Sequence, residues 1–388
     1  MFSISRIGQV LKALPRGAFD RIVQSYRGDR YVKSFTCWDQ LVAMVYLQLA
    51  GAGSLRELEA GFNGKWAHHY HLGCRRVART TLADANEKRN PLIYADVLHE
   101  LIELAGRRLR RDKDEVLYLL DATTAQLPRR GCHSLRGHVS PRGNHGVKLH
   151  VLFEAMSGCV SQVSITPANI NDVVEGRKMA LEAGATYVFD KGYCDYNWWY
   201  RMHQCPARWV TRFRRDAALT FICERAVAPG EHGILRDSFV GFALQTPRGG
   251  HRNLYSTPLR RIEVDRPGEV PLVLATNDLH SPAADIAALY KQRWLIELFF
   301  KWVKQHLQIG SFVGRNENAI RIQLLTALIA YVLVLLHKKT TGFTGTLWML
   351  LSELRHNLFQ RQQTEETYWR RRRSREALIA SIQPALFR

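Results

Sequence analysis

Glu297 stands four residues after Arg293 and seven after Tyr290, and Lys304 follows seven further on. At 3.6 residues per turn these four side chains line one face of a helix. Ser281-Pro282, with Asp285 just after, reads as its entry, so a helix is predicted from there to about Leu307. Leu295, Leu298, Phe299 and Trp302 form an apolar stripe, which Ile296, Phe300, Val303 and Leu307 widen towards full burial. A carboxylate held between Arg293 and Lys304 would stay ionised and could take a metal or border a phosphate. The bland alternative is a solvated stripe of i,i+4 ion pairs.

Two more acids follow apolar runs. Val116–Leu120 leads to Asp121, and Ala185–Phe189 leads to Asp190. Each run is predicted to be a strand ending on its Asp, where side chains emerge from a sheet into a site. A strand-end Asp is more often a turn or cap residue, but two of them plus Glu297 make a set. Their hard oxygens suit Mg²⁺ or Mn²⁺. Two such ions can activate a water or a 3′-hydroxyl and stabilise the leaving oxygen of a phosphodiester. Arg293 and Lys304 would then hold a DNA phosphate, with Lys191 and Arg212 as further DNA contacts beside the second acid and on the next strand. Tyr290 would donate to a phosphate oxygen or pack.

The elements that must position these groups are legible in outline. Residues 1–112 read as helical. An apolar helix around Leu41–Leu47, a break at Gly51–Gly53 and a capping box from Ser54 to Glu57 give the outline of a helix-turn-helix. Arg75, Arg76 and Arg79 open a basic segment that could face phosphates. Strands follow at 116–120, 146–155 and 159–165, then a helix about 171–184 and strands at 185–189 and 209–213. Residues 214–277, rich in Gly, Pro and Arg, read as a β-rich insertion. The catalytic domain is thus expected in 113–213 and 278–345, with a helical, basic tail over 346–388. Meander, helix, strand and late acidic helix is the order of an RNase H-like α/β fold, a mixed sheet flanked by helices.

Composition names the partner class. Lys and Arg number 55 against 35 Asp and Glu, a net charge of +20. Such a surplus suits a polyanion, nucleic acid first, through counterion release. The apolar run Leu324–Leu336 is too short to span a bilayer and reads as a buried core helix, so no membrane is expected. Seven scattered cysteines without a C-x-x-C pair fit reduced thiols in a cytoplasm. His68-His69-Tyr-His71 with Cys74 is spaced too closely for a structural zinc site.

These residues resemble the bacterial insertion-sequence DDE transposases marked by a Tyr-Arg-Glu-Lys signature. Tyr290-x2-Arg293-x3-Glu297-x6-Lys304 is similar to the signature without a gap. Asp121 in Leu-Leu-Asp-Ala-Thr and Asp190 in Phe-Asp-Lys-Gly-Tyr resemble the first two acids, and the helical start and the insertion also correspond. The resemblance implies a transposase that binds terminal inverted repeats in double-stranded DNA, cuts at the element ends and joins the 3′-ends to target DNA. It further implies two Mg²⁺ or Mn²⁺ ions per site, a homodimer on DNA, and action at the nucleoid in the cytoplasm. Members often use a hairpin intermediate, with an insertion aromatic holding a flipped base. No Trp lies between Trp209 and Trp294, which leaves Phe221, Phe239, Phe242 or Tyr255 for that role. The same acids would also serve a nuclease that cuts without joining, and an inactive DNA-binding descendant would retain the basic surface alone.

Overall fold

The computed structural model describes residues 5–110, 115–127, 146–227, 233–243 and 252–360. The basic run Arg370–Arg373 therefore lies outside the described residues. Strands β1 (Leu117–Gln126), β2 (Gly146–Glu154), β3 (Cys159–Pro167), β4 (Thr186–Phe189) and β5 (Arg208–Arg212) lie side by side in the order β3-β2-β1-β4-β5. The first three form an antiparallel meander, and β4 and β5 run parallel to β1. This is the RNase H-like mixed sheet. Segment 214–277 adds β6 (Leu219–Glu224), β7 (Ile234–Phe242), β8 (Leu259–Val264) and β9 (Leu272–Thr276) to it, because β9 pairs antiparallel with β5. The result is one nine-stranded sheet ending in β8, β7 and β6.

Alternation along the strands sorts side chains onto two cores. Leu119, Val151, Val188 and Val210 enter the larger one, and Leu120, Leu152, Phe189 and Trp209 enter the other. The smaller core is aromatic, with Trp199 of helix α9 (Tyr196–Gln204) against Trp209 and its neighbour Trp198 against Phe189. Among the described residues seven α-helices precede the sheet: α1 (Arg6–Leu11), α2 (Arg16–Ser25), α3 (Cys37–Ala50), α4 (Leu55–Asn63), α5 (His69–Leu72), α6 (Arg79–Lys88) and α7 (Leu92–Leu109). Helix α3 starts on a Thr36/Asp39 capping box and is buried all round from Cys37 to Leu49.

Helix α8 (Asp172–Gly176) is far shorter than the helix expected over 171–184. Beyond it the chain is drawn to β3, where the Gln162 amide bonds both backbone groups of Ala180 at 2.8 and 2.9 Å. The helix predicted from 282 to 307 is two, α10 (Ala283–Lys291) and α11 (Trp294–His306). Between them the backbone tightens to i→i−3 bonds, Arg293 N to Tyr290 O at 3.1 Å and Leu295 N to Gln292 O at 2.9 Å.

Helix α12 (Glu317–Thr341) corrects the apolar-run estimate. At 25 residues it is long enough to cross a bilayer, yet 89% of its most apolar window is buried inside the protein. It packs against α3, α6 and α7, and helix α13 (Leu347–Asn357) closes on it. The core that supports the sheet is therefore built from both ends of the chain.

Candidate active site

Asp121 does not end its strand. Strand β1 continues five residues further, still paired with β2, and places Asp121 opposite Val151. Strand β4 does end at Phe189, in parallel register with Leu120, so Asp121 and Asp190 are the next neighbours along two adjacent strands. Such strands lie about 4.8 Å apart. Leu119 and Val188 point into the larger core, and alternation puts both aspartates on that same side, where α11 packs on β1. Asp190 caps the short 3₁₀ turn Lys191–Tyr193.

Glu297 reaches this place from α11. Arg293 stands one turn earlier, with Nη1 2.6 Å from Glu297 Oε1. Arg212 pairs with Asp190, its Nε 3.2 Å from Oδ1. Burial pushes the Asp121 carboxyl up to about 6, and the Glu297 and Asp190 charges push the same way. The Ala122 N–H, donating at 2.8 Å, and the Arg293 charge oppose the rise. Burial also raises Asp190, but Arg212, the Lys191 N–H and Arg293 outweigh it and the net shift is downward. The Asp121 carboxyl thus feels the charge of both other acids, and Arg293 acts on Asp121 and Asp190 alike.

Among the described residues no three His, Cys, Asp or Glu side chains form a ready-made metal cage. The donor chemistry nevertheless fits a hard divalent cation, because closely placed carboxylates need compensating positive charge. The site also fits an anion. Arg293 Nε is buried without a hydrogen-bond partner, leaving a donor for a phosphate oxygen.

The other expected residues differ in placement. Tyr290 is buried, and burial raises its hydroxyl pKa; its ring centroid lies 5.9 Å from the Arg293 guanidinium. It packs on and orients that arginine. Lys191 is exposed on the turn after Asp190, and Lys304 is exposed two turns beyond Glu297 with no ion-pair partner among the described residues. Arg212 is engaged by Asp190. The apolar stripe read along α11 divides: Ile296, Phe299, Phe300 and Val303 are buried, whereas Leu295 and Leu298 are exposed. Trp294, which spacing alone did not single out, is 58% exposed one turn before Glu297. Its exposure is hard to read from the sequence, since it stands between the polar run Lys291–Arg293 and the apolar run Leu295–Ile296.

The raised Asp121 pKa has a consequence for stability. Below pH 4 both folded and unfolded chains hold the proton. As pH rises to about 6 the unfolded chain releases it and the fold does not, so stability falls by about 3 kcal/mol. Asp121→Asn should therefore melt above wild type at pH 8 without divalent metal, and the gap should close towards pH 4. Equal melting at both pH values would show that Asp121 ionises freely in the fold.

With the geometry in hand, similarity to known proteins identifies the chain. Residues 112–333 match the family described as transposase DDE domain, and residues 3–75 match a family described only as a domain of unknown function. A Sinorhizobium fredii protein named as a transposase is 38% identical over 285 residues, covering 72% of this chain and 77% of its own. A Geobacillus stearothermophilus protein named as an insertion-sequence transposase is 28% identical over 253 residues, 62% of each chain. A Synechocystis protein with a similar name is 24% identical over 301 residues, covering 75% of this chain and 80% of its own. The domain match alone spans more than half of the sequence, and the chain belongs to the DDE transposases, enzymes of DNA cleavage and strand transfer.

Proposed function

We propose that Asp121, Asp190 and Glu297 are the catalytic acids of a transposase of the Tyr-Arg-Glu-Lys signature group. It cuts at the inverted-repeat ends of an insertion sequence and joins the 3′-ends to target DNA. The observation that carries this is the placement of Asp121 and Asp190 side by side on adjacent strands, together with Arg293, which pairs with Glu297 and keeps an unspent donor. Two Mg²⁺ or Mn²⁺ ions held by these acids would supply activation of the attacking oxygen and stabilisation of the leaving one.

The chain's own groups supply the rest. Arg212 and Arg293 hold Asp190 ionised before any cation arrives. Tyr290 and Glu297 fix Arg293 so that its free Nε meets a phosphate oxygen without reorganisation. Lys191 and Lys304, both exposed, carry the DNA backbone away from the cleft. Trp294 and Leu298 stand exposed beside Glu297 and would pack on bases next to the scissile phosphate. For a flipped base of a hairpin, Phe221 is the candidate: it is exposed on β6, whereas Phe239 is half-buried on β7, Tyr255 is buried and Phe242 is packed 4.2 Å from Tyr196. Two element ends joined together call for a homodimer on DNA.

The test incubates the protein with DNA carrying the element ends and a supercoiled target, with and without Mg²⁺. Metal-dependent joined product, lost in Asp190→Ala, is the expected result. Cutting without joining would make the protein a nuclease, and end binding without either would make it a regulator.

A further inference from the structure

The segment between α4 and α6 has little regular structure, only a 3₁₀ turn at Trp66–His68 and the single turn of α5. It is nevertheless fixed from beneath. Trp38 Nε1 donates to Leu72 O at 2.9 Å, and Asp39 Oδ1 accepts from Arg75 N at 2.8 Å. The Asn63 amide clasps the Val77 backbone in both directions, at 2.7 and 2.9 Å. His69 stacks on Phe62 with ring centroids 4.2 Å apart. These anchors bury His69, Leu72, Cys74 and Val77.

What they leave outside is Lys65, Trp66, Tyr70, Arg75, Arg76 and Arg79. Trp66 is 59% exposed and Tyr70 87%, and the Arg76 guanidinium lies 4.9 Å from the Trp66 ring. The neighbouring acids take backbone groups, Asp39 the Arg75 N–H and Glu59 the Arg79 N–H at 3.2 Å, and none of the four basic side chains pairs with a carboxylate among the described residues. Bases alone would be an ordinary solvated face. Two large aromatics held open among them, on a backbone that cannot fold them away, call for a partner with phosphates and flat apolar faces.

The helix-turn-helix outline does not compete for that role. Helix α3 is buried on every side and cannot lie against phosphates, and α4 turns a single base, Arg56, to solvent, directly beside Glu57.

We propose that residues 65–79 form a DNA-binding ledge. Lys65, Arg75, Arg76 and Arg79 contact successive phosphates of a duplex, and Trp66 and Tyr70 pack on its sugars and bases. This gives a use to part of the segment matched only by a family of unknown function, and it rests on the transposase reading for the identity of the DNA.

The experiment measures anisotropy of a labelled duplex carrying the DNA that borders the gene, across a salt titration, with full-length protein. Replacing Arg75, Arg76 and Arg79 together by Gln should lower the slope of log affinity against log salt by about 2 to 3. Trp66→Ala should weaken binding about ten-fold, and Trp66→Phe should restore most of the loss. Wild-type slope and affinity in ledge variants that melt normally would overturn the proposal. So would a change of oligomeric state by light scattering with DNA binding unaltered, which would assign the face to a protein partner. Wild type that binds through the ledge but neither cuts nor joins would leave the ledge standing and remove the transposase reading.

Discussion

Glu297→Gln should reduce strand joining more than about a hundred-fold while leaving end binding intact. Loss of an outer-shell group already costs a metal site about 10- to 100-fold, so loss of the proposed carboxylate ligand should cost more. Glutamine keeps the length and polarity of the side chain but removes a charge that acts on Asp121. It also releases Arg293 from its ion pair. That pair is partly solvated, so its loss should alter stability by no more than about 1 kcal/mol. Activity and stability therefore separate in this variant, and a strand-transfer assay beside a thermal melt reads both. Joining at wild-type rates would exclude Glu297 from the reacting centre.

The second large effect lies away from the acids. Arg260 and Asp237 are both almost wholly buried, with Arg260 Nε and Nη2 on the two carboxylate oxygens at 2.8 and 2.6 Å. Arg260 Nη1 also donates to the Ser281 carbonyl. Arg225 binds the neighbouring carbonyls of Leu279 and His280 at 2.7 and 2.9 Å. Two arginines thus fasten the insertion to the loop that starts α10, a helix that carries Tyr290 near its end and is followed directly by Arg293. Arg260→Ala should cost about 3–5 kcal/mol, because it strands the Asp237 charge in the interior, out of a total of about 5–15. Pairing Arg260→Met with Asp237→Leu should return most of that stability but not the joining rate, since the loop loses its tie. Urea denaturation of the three proteins decides it. A loss below about 1 kcal/mol in Arg260→Ala would mean that water reaches the pair.

Much of the site was readable because its signals are local. The helical spacing of Tyr290, Arg293, Glu297 and Lys304 needs only 3.6 residues per turn, and continuous apolar runs mark the strands that lead to Asp121 and Asp190. The Ser54 cap, whose side chain accepts from the Glu57 N–H, and the basic surplus are equally local properties.

What the tertiary structure decided was every choice that depends on a distant partner. Asp121 looked like a strand end because its apolar run stops there, yet pairing with β2 carries the strand through Thr123 and Thr124. Its adjacency to Asp190 comes from the register of two strands separated by some sixty residues of sequence. Arg212 could have faced DNA, and an acid two strands' length of chain away took it instead. Leu298 and Phe299 are equally apolar in sequence, but only Phe299 meets Phe153 of β2, at 4.9 Å, and Leu298 is left to solvent. Local spacing selects which residues share a face; only the packing of remote segments determines which face is covered and which charge is answered.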